Sequence, residues 1–474
     1  MDNNIINFLR EKGVSVVYGE QDEIQSKLQI WEQFYKGFVD KFHEYYVYNG
    51  TEKKKKERAT LNMPATVAQR WADLLLNEKV EITAPDEKTQ KRLDALLEQT
   101  NFLVRGNNLI ELAFALGGGF FVQYWTGKKT KQKYISQKYA YPISFDSGEL
   151  TECAFASYKN ISGKRYVYLE THMLDESGFY VIDNFLLSPN GKDGLREVSN
   201  DFYKAHNIRR KWETKSETPL FQQIRPNITN RDDFNSPFGT SVYSSATDVF
   251  KTIDIIYDSY KKEFLLGKKR LFVQDGAAHL NYDAKTGNMV NVFDPEDEAF
   301  YRIPEADEGK PIEEINGTLR VAEHDTALQT NLNILSQKVG LGAKAFKWEN
   351  GNVTTATQVV SENSEMFRTL KKHENLLRDA IVGMCHGLLF VESSYTGENL
   401  SFNGDFTVNF DDSIIEDSAE QKRQAMLEYN SGLIDEVQYY IDVYKMSEEQ
   451  ALEYREKLKK RSDISEEPEP EDEY

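Results

Sequence analysis

Apolar side chains recur every three or four residues over several stretches of the chain, and every second residue over one long stretch. The first period marks amphipathic helices and the second half-buried strands. Ile24, Leu28, Trp31, Tyr35, Phe38 and Phe42 fall on one stripe, which predicts a helix across residues 20–45. The run EKKKKER (52–58) then reads as a solvated, charged loop. A second helix opens at LNMPAT, where Pro64 in the first turn costs no hydrogen bond. Val67, Trp71, Leu74 and Leu75 form its inner face, and a short strand follows at 79–83. Helices at 87–99 and 101–116 come next, the second stopped by Gly117–Gly119.

From 119 to about 225 aromatic and β-branched residues alternate with polar ones, as in FFVQYW, CAFASY and RYVYLETHML, which predicts a mostly antiparallel sheet region. The most strongly patterned helix is 241–266, where Ala246, Val249, Phe250, Ile253, Ile256, Tyr257, Tyr260 and Phe264 keep three/four spacing. Its length is about 35–40 Å at 1.5 Å per residue. Lys251, Lys262 and Lys269 are spaced to stack on the face opposite that stripe, either as a solvated face or as a cationic row toward an internal surface. Strands and turns fill 270–318. A helix at 319–339 returns, the connector GLGAKAFKWENGNV (340–353) follows, and helix runs again over 354–392. One or two strands at 399–410, helix over 416–460 and an acidic, proline-containing tail complete the pattern. The tail composition predicts disorder. This order describes a body with a long helix out, a small insertion and a helix back, and does not read as tandem globular domains.

Composition narrows the function. With 474 residues, 39% hydrophobic and 12% aromatic, the chain can bury large cores. A formal charge of −19 opposes broad clamping of nucleic acid by phosphate neutralisation, though not a nucleic acid that slides past. The two cysteines, Cys153 and Cys385, lie far apart and fit a reducing compartment. The first twenty residues lack the charge and apolar run of a signal peptide, and no apolar stretch approaches a membrane span. A cytosolic, soluble protein is expected.

No catalytic constellation stands out. The seven histidines show no metal-ligand spacing, and Cys385 and His386 diverge by about 100° on a helix. TGKKT (126–130) lacks the earlier glycine of a phosphate loop, since that position is Val122. Asp411, Asp412, Glu416, Asp417 and Glu420 could hold Mg2+ in a nuclease, or could open a helix where acids complement the dipole. No cofactor and no enzymatic activity are expected.

Four blocks, in order, resemble the portal proteins of tailed bacteriophages, in the type found in siphophages of Gram-positive hosts. They are LNMPATVAQRWADLLLNEKVEI, SPFGTSVYSSATDVFKTIDIIYDSYKKEF, TTATQVVSENSEMFRTLKKHENLL and DDSIIEDSAEQKRQAMLEYNSGLIDE. They span residues 61 to about 436, with Gln358 standing where an acid is expected. The resemblance implies an α+β fold: a mixed α/β wing (1–235), an outbound stem helix (236–270), a small β-containing clip (271–318) and a return stem helix (319–339). A tunnel loop (340–353), a wing return helix with strands (354–415), a helical crown (416–462) and the acidic tail (463–474) follow. It further implies a ring, most often of twelve copies, at one capsid vertex, through which double-stranded DNA is packaged and ejected without sequence specificity. Terminase, head-completion, major capsid and scaffolding proteins are the implied partners, with no membrane. Gly340 and Gly342 would let the loop move, while Lys344, Lys347 and Trp348 would touch DNA phosphates and sugars. Lys251, Lys262 and Lys269 would line the channel. A non-channel head or tail adaptor is the competing structural reading.

Overall fold

The computed structural model describes residues 2–18, 23–48, 52–77, 80–189, 194–267, 270–274, 280–283, 287–291, 300–303, 312–315, 317–343, 345–346, 356–410, 418–444, 451–452 and 454–457. The fold is α+β. Helix α1 (Asn3–Glu11) is followed by α2 (Glu23–Tyr35) and by the hairpin β1 (Glu44–Tyr48) and β2 (Lys53–Glu57). Both sequence expectations for this stretch need correction. The helix stops ten residues early because Gly37 takes the left-handed backbone, φ +74°. The charged run is a strand, its lysines paired across from Tyr45–Tyr48. Cross-strand pairing, a non-local term, overrides the weak strand propensity of lysine.

Next come α3 (Met63–Leu75), β3 (Glu81–Thr83), α4 (Glu87–Thr100) and α5 (Phe102–Leu116). As expected, Pro64 sits in the first turn of α3, and Gly117 caps α5 with φ +92°. A Cβ at Gly117 would also lie 2.7 Å from the Gly239 carbonyl oxygen, so both backbone conformation and close approach require glycine there.

The period-two region forms strands β4 (Gly119–Trp125), β5 (Thr130–Ser136), β6 (Ala140–Asp146), β7 (Glu149–Ile161), β8 (Lys164–Leu174), β9 (Tyr180–Pro189), β10 (Leu195–Glu197), β11 (Lys211–Glu213) and β12 (Phe221–Ile224), with the short helix α6 (Asn200–Ala205). The larger sheet has the order β10-β9-β8-β7-β6 with β11 on β9, and the smaller has β12-β4-β5. All of these pairings are antiparallel. Phe120, Phe155, Phe221 and Phe238 pack the core between them. His172 is buried there edge-on to Phe155 and Phe221, and burial lowers it to about 4.

Helix α7 (Thr247–Leu266) leads to strands β13 (Arg270–Gln274), β14 (Leu280–Asp283), β15 (Asn288–Asn291), β16 (Phe300–Ile303) and β17 (Ile312–Ile315). Strand β13 runs parallel to β16 and antiparallel to β17. Helices α8 (Val321–Lys338) and α9 (Ala356–Thr396), strand β18 (Thr407–Asn409), and helices α10 (Ser418–Asn430) and α11 (Glu436–Tyr444) complete the order. β18 returns to pair with β3, so the end of the α9 region closes on the first helices. The main core joins α2, α3, α5, the roots of α7 and α8, and α9.

Candidate functional site

The α7–α8 pair is rooted in the main core through Phe250, Ile253, Leu332 and Leu335, and its construction follows from one ridge of α7. From Ala246, the residue just ahead of α7, Phe250, Asp254, Asp258 and Lys262 follow at four-residue steps, and these four share a face of the helix. Ala246 and Phe250 are buried in the main core, and Phe250 meets the rings of Phe34 and Tyr243. Further out the ridge turns acidic. Asp254 accepts hydrogen bonds from the Leu61 N–H and the Thr60 hydroxyl, both at 3.0 Å. His43 accepts from the Val39 N–H at Nδ1 (2.7 Å), so its Nε2 carries the proton and donates it to Asp254 at 3.0 Å. Asp258 accepts from the Ala59 N–H at 3.2 Å and pairs with Lys262 at 2.5 Å. These acids fasten the helix to the strap that precedes α3.

Replacing Asp254 by alanine should cost about 2–3 kcal/mol, because the buried His43 ring and the half-buried Thr60 hydroxyl and Leu61 N–H lose their acceptor. Urea unfolding would read it, and an unchanged midpoint would deny the strap this role. Sequence reading missed both acids because an Asp–Asp–Lys series at four-residue steps looks like a solvated face. The signal was present, since they continue the apolar ridge.

The two ends of the helix pair are tied in opposite directions. Near the C-terminal end of α7, Glu263 takes a two-pronged contact from the Arg320 guanidinium, 2.8 and 3.1 Å, with His324 at 3.7 Å. Just ahead of α7, the Ser245 carbonyl accepts from Lys338 at 2.9 Å. The helices are therefore antiparallel. Hydrogen bonds from Arg320 hold the Glu263 carboxyl down at about 2, against an ordinary 4.5. Its stabilising effect is complete above pH 4.5 and is lost as pH falls from there through 2. Spin labels at Lys261 and Asp325 should accordingly report a widening distance over that window. Glu263→Gln should widen it at neutral pH and remove the acid dependence, and a pH-independent wild-type distance would refute the clamp.

Helix α8 closes with a Schellman arrangement: the Gly340 N–H bonds to the Gln337 carbonyl at 3.2 Å and the Leu341 N–H to the Ser336 carbonyl at 3.0 Å. Gly340 has φ +77°, and a Cβ there would lie 2.7 Å from Thr369 Cγ2. It is thus a pinned cap, and the mobility expected of it at this position gives way to helix termination. Gly342 also takes positive φ, +76°. The residues on either side are anchored: Val339, Leu341 and Phe346 are buried, with Arg70 over the Phe346 ring. Trp71 donates Nε1–H to the Val339 carbonyl at 3.1 Å and meets the His373 ring of α9 edge-on at 4.8 Å. His373 Nδ1 accepts from the Asn227 N–H at 3.0 Å, and burial lowers this imidazole to about 3. Trp71 therefore links the end of α8 to the flank of α9.

Comparison with known proteins decides what this scaffold is. The family described as "Phage portal protein, SPP1 Gp6-like" matches residues 15–466. The chain belongs to the SPP1 Gp6-like phage portal protein family. It is a portal protein, and a DNA channel is the role of that family. Its family is structural, not enzymatic. No curated protein matches the chain. Among solved structures it is similar to a chain of the "Neck of native GTA particle computed with C12 symmetry", at 10% identity over 80% of this chain and 89% of that chain, with a TM-score of 0.43. The family assignment rests on the sequence match.

The portal protein distributes the expected site residues unevenly. Lys262 is corrected from the face opposite the apolar stripe to the ridge turned toward the body, bonded to Asp258 and to the Tyr45 hydroxyl at 2.6 Å. These two hydrogen bonds raise its pKa. Lys251 lies 3.8 Å from Asp248. About 24 Å of helix separates Lys262 from the root of α7, beside which Gly340 lies. Lys262 and the start of the loop are therefore not one cluster, whereas Lys251 lies about 6 Å along the axis from the first residue of α7. Lys269, Lys344, Lys347 and Trp348 lie outside the described residues, as do Asp411, Asp412, Glu416 and Asp417 and the position of the Glu420 side chain. Among the described residues no group of three or more His, Cys, Asp or Glu could hold a metal ion, and no helix is long and apolar enough to cross a membrane. Cys153 and Cys385 are both buried, and burial pushes the Cys385 thiol up to about 12.

Proposed function

We propose that copies of this portal protein close into a ring, of twelve as the resemblance implies, at one vertex of the capsid, with the α7–α8 pairs side by side around the DNA. The observation that carries this is the apolar surface of the pair. Its root is buried, yet Ile255, Phe264, Leu265 and Ile334 are exposed in the single chain, at 46%, 46%, 54% and 41%. Ile255 and Phe264, nine residues apart, stand about 180° apart around α7, so a neighbour on each side of the pair, as a closed ring supplies, would cover both. Neighbouring copies cover them without any further component.

In this reading residues 1–235 are the wing and the α7–α8 pair is the stem. Residues 271–318 are the clip, which meets terminase and later the head-completion protein, while 416–462 form the crown. Capsid and scaffolding proteins would surround the ring in the virion, after assembly in the host cytoplasm. Residues 340–353 are the tunnel loop, with its root fixed by the Gly340 cap and Trp71. Lys344, Lys347 and Trp348 then meet the DNA backbone, and Lys251 and Lys269 line the stem, without Lys262, which is bonded to Asp258 and Tyr45 on the body side. A few weak phosphate contacts, repeated around a ring, grip duplex DNA while letting it pass. Changing Lys344 and Lys347 together to alanine should leave rings and procapsids intact but impair packaging or retention of DNA. Normal packaging by that variant would remove the loop from the DNA path.

A further inference from the structure

A cleft of about 920 Å3 opens between β4, β7–β9, α6, β11 and the last turns of α9, away from the helix pair. Its wall is aromatic. Trp125 and Tyr395 stack with ring centres 4.7 Å apart and planes 2° from parallel, and Trp212 leans on Tyr395 at 5.4 Å. Beneath it lies a buried ion pair, Lys133 Nζ to Glu170 Oε2 at 2.7 Å. Glu170 is 2% exposed, lines the cleft, and leaves its Oε1 without a hydrogen-bond partner. Lys159 lies over the Tyr168 ring at 4.0 Å, and burial, with Lys133 nearby, lowers it to about 8.

The charge of the cleft opposes that of the chain. Lys159, Lys204, Arg209 and Arg210 line it against the single carboxylate of Glu170, although acids outnumber bases by 77 to 58 overall. Arg210 reaches Glu197 at 2.5 Å, and Arg209 bonds the Tyr395 hydroxyl at 2.8 Å. Among the described residues neither Lys159 nor Lys204 forms an ion pair within 4.0 Å, although the Glu170 carboxylate lies close enough to Lys159 to favour its charged form.

The occupant is therefore an anion, and Glu170 selects its kind. A buried acceptor with a free oxygen calls for a donor, which a peptide N–H supplies and a phosphodiester backbone does not. The indole face of Trp125 turned away from Tyr395, and the half-buried Trp212, suit proline rings in an extended chain. One segment of this sequence has that chemistry: residues 465–474, SEEPEPEDEY, with six acidic side chains and two prolines, all outside the described residues. We propose that the cleft binds an acidic, proline-containing peptide, and that residues 465–474, from the same or a neighbouring copy, are its occupant.

Zero-length carbodiimide cross-linking of the full chain, mapped by mass spectrometry, tests this directly. Carboxylates of 465–474 should join to Lys159 and Lys204, with the yield falling in high salt. A labelled SEEPEPEDEY peptide should bind in trans, about tenfold more weakly to Lys159→Ala/Lys204→Ala. The Lys→Arg pair should restore binding, which separates lost charge from lost folding. Lys53→Ala/Lys54→Ala, on the exposed hairpin, should bind as the wild type does. Cross-links spread equally over other lysines would overturn the proposal. So would a ten-nucleotide oligothymidylate that binds with this lysine dependence when the peptide does not.

Discussion

Replacing Trp71 by alanine should lower the unfolding free energy by about 3–5 kcal/mol, the range for deleting a fully buried aromatic side chain. Trp71 is wholly buried and does three things at once. It satisfies the Val339 carbonyl at the end of α8, packs edge-on against His373 of α9, and lies against Phe114 of α5 at 6.0 Å. Its loss empties the joint from which the connector departs. Denaturant unfolding measures the overall cost, and amide exchange locates it. The account expects protection to fall first at residues 339–346 and along α9 near His373. Trp71→Phe should recover the packing but not the hydrogen bond, placing it between the two. A loss below 1 kcal/mol for the alanine variant, or exchange unchanged at 339–346, would mean that the connector is held by something else.

Proline at Ile256 is the second large perturbation. It removes a backbone donor from the middle of α7 and clashes with the preceding turn, for about 3 kcal/mol or more. The position lies between the acids that fasten α7 to the strap, Asp254 and Asp258, so the break falls where the helix leaves the body. Below it, Phe250 and Ile253 stay in the main core. Beyond it lie Glu263 and its contact with Arg320. The expected result is a chain that keeps its sheet signature but sediments as a monomer, while Ile256→Ala still assembles. Intact rings from the proline variant would contradict the assignment of α7 as the ring's packing element.

Much of this was legible in the sequence, for identifiable reasons. Helix α3 announced itself through Pro64 and the Val67–Trp71–Leu75 face, and all three apolar residues are buried. The alternation from Gly119 to Ile224 gave antiparallel strands because each of those sheets has a face to bury. What escaped depended on partners distant in the chain. The lysines of β2 form a strand because they pair with Tyr45–Tyr48, although the Asn49–Gly50 dipeptide between them was a turn signal. The helix expected over 20–45 followed the stripe through Phe38 and overlooked Gly37, whose positive φ ends it. Lys262 was assigned by spacing to other lysines, whereas the ridge from Ala246 through Asp258 shows the side it occupies. Gly340 carried the ordinary signature of a helix stop. Its cap bonds and its closeness to Thr369 define a fixed root, which makes any motion of the connector begin beyond it.

Copies of this portal protein are expected to surround an open channel, with the connector after α8 turned into it. An electron cryomicroscopy map of the purified assembly, viewed down its symmetry axis, tests this most directly. The account expects a closed ring with a central opening, the α7–α8 pairs packed around it through Ile255, Phe264, Leu265 and Ile334, and residues 344–348 at its narrowest point. A particle without an axial opening, or one with those residues on its outer wall, would contradict it.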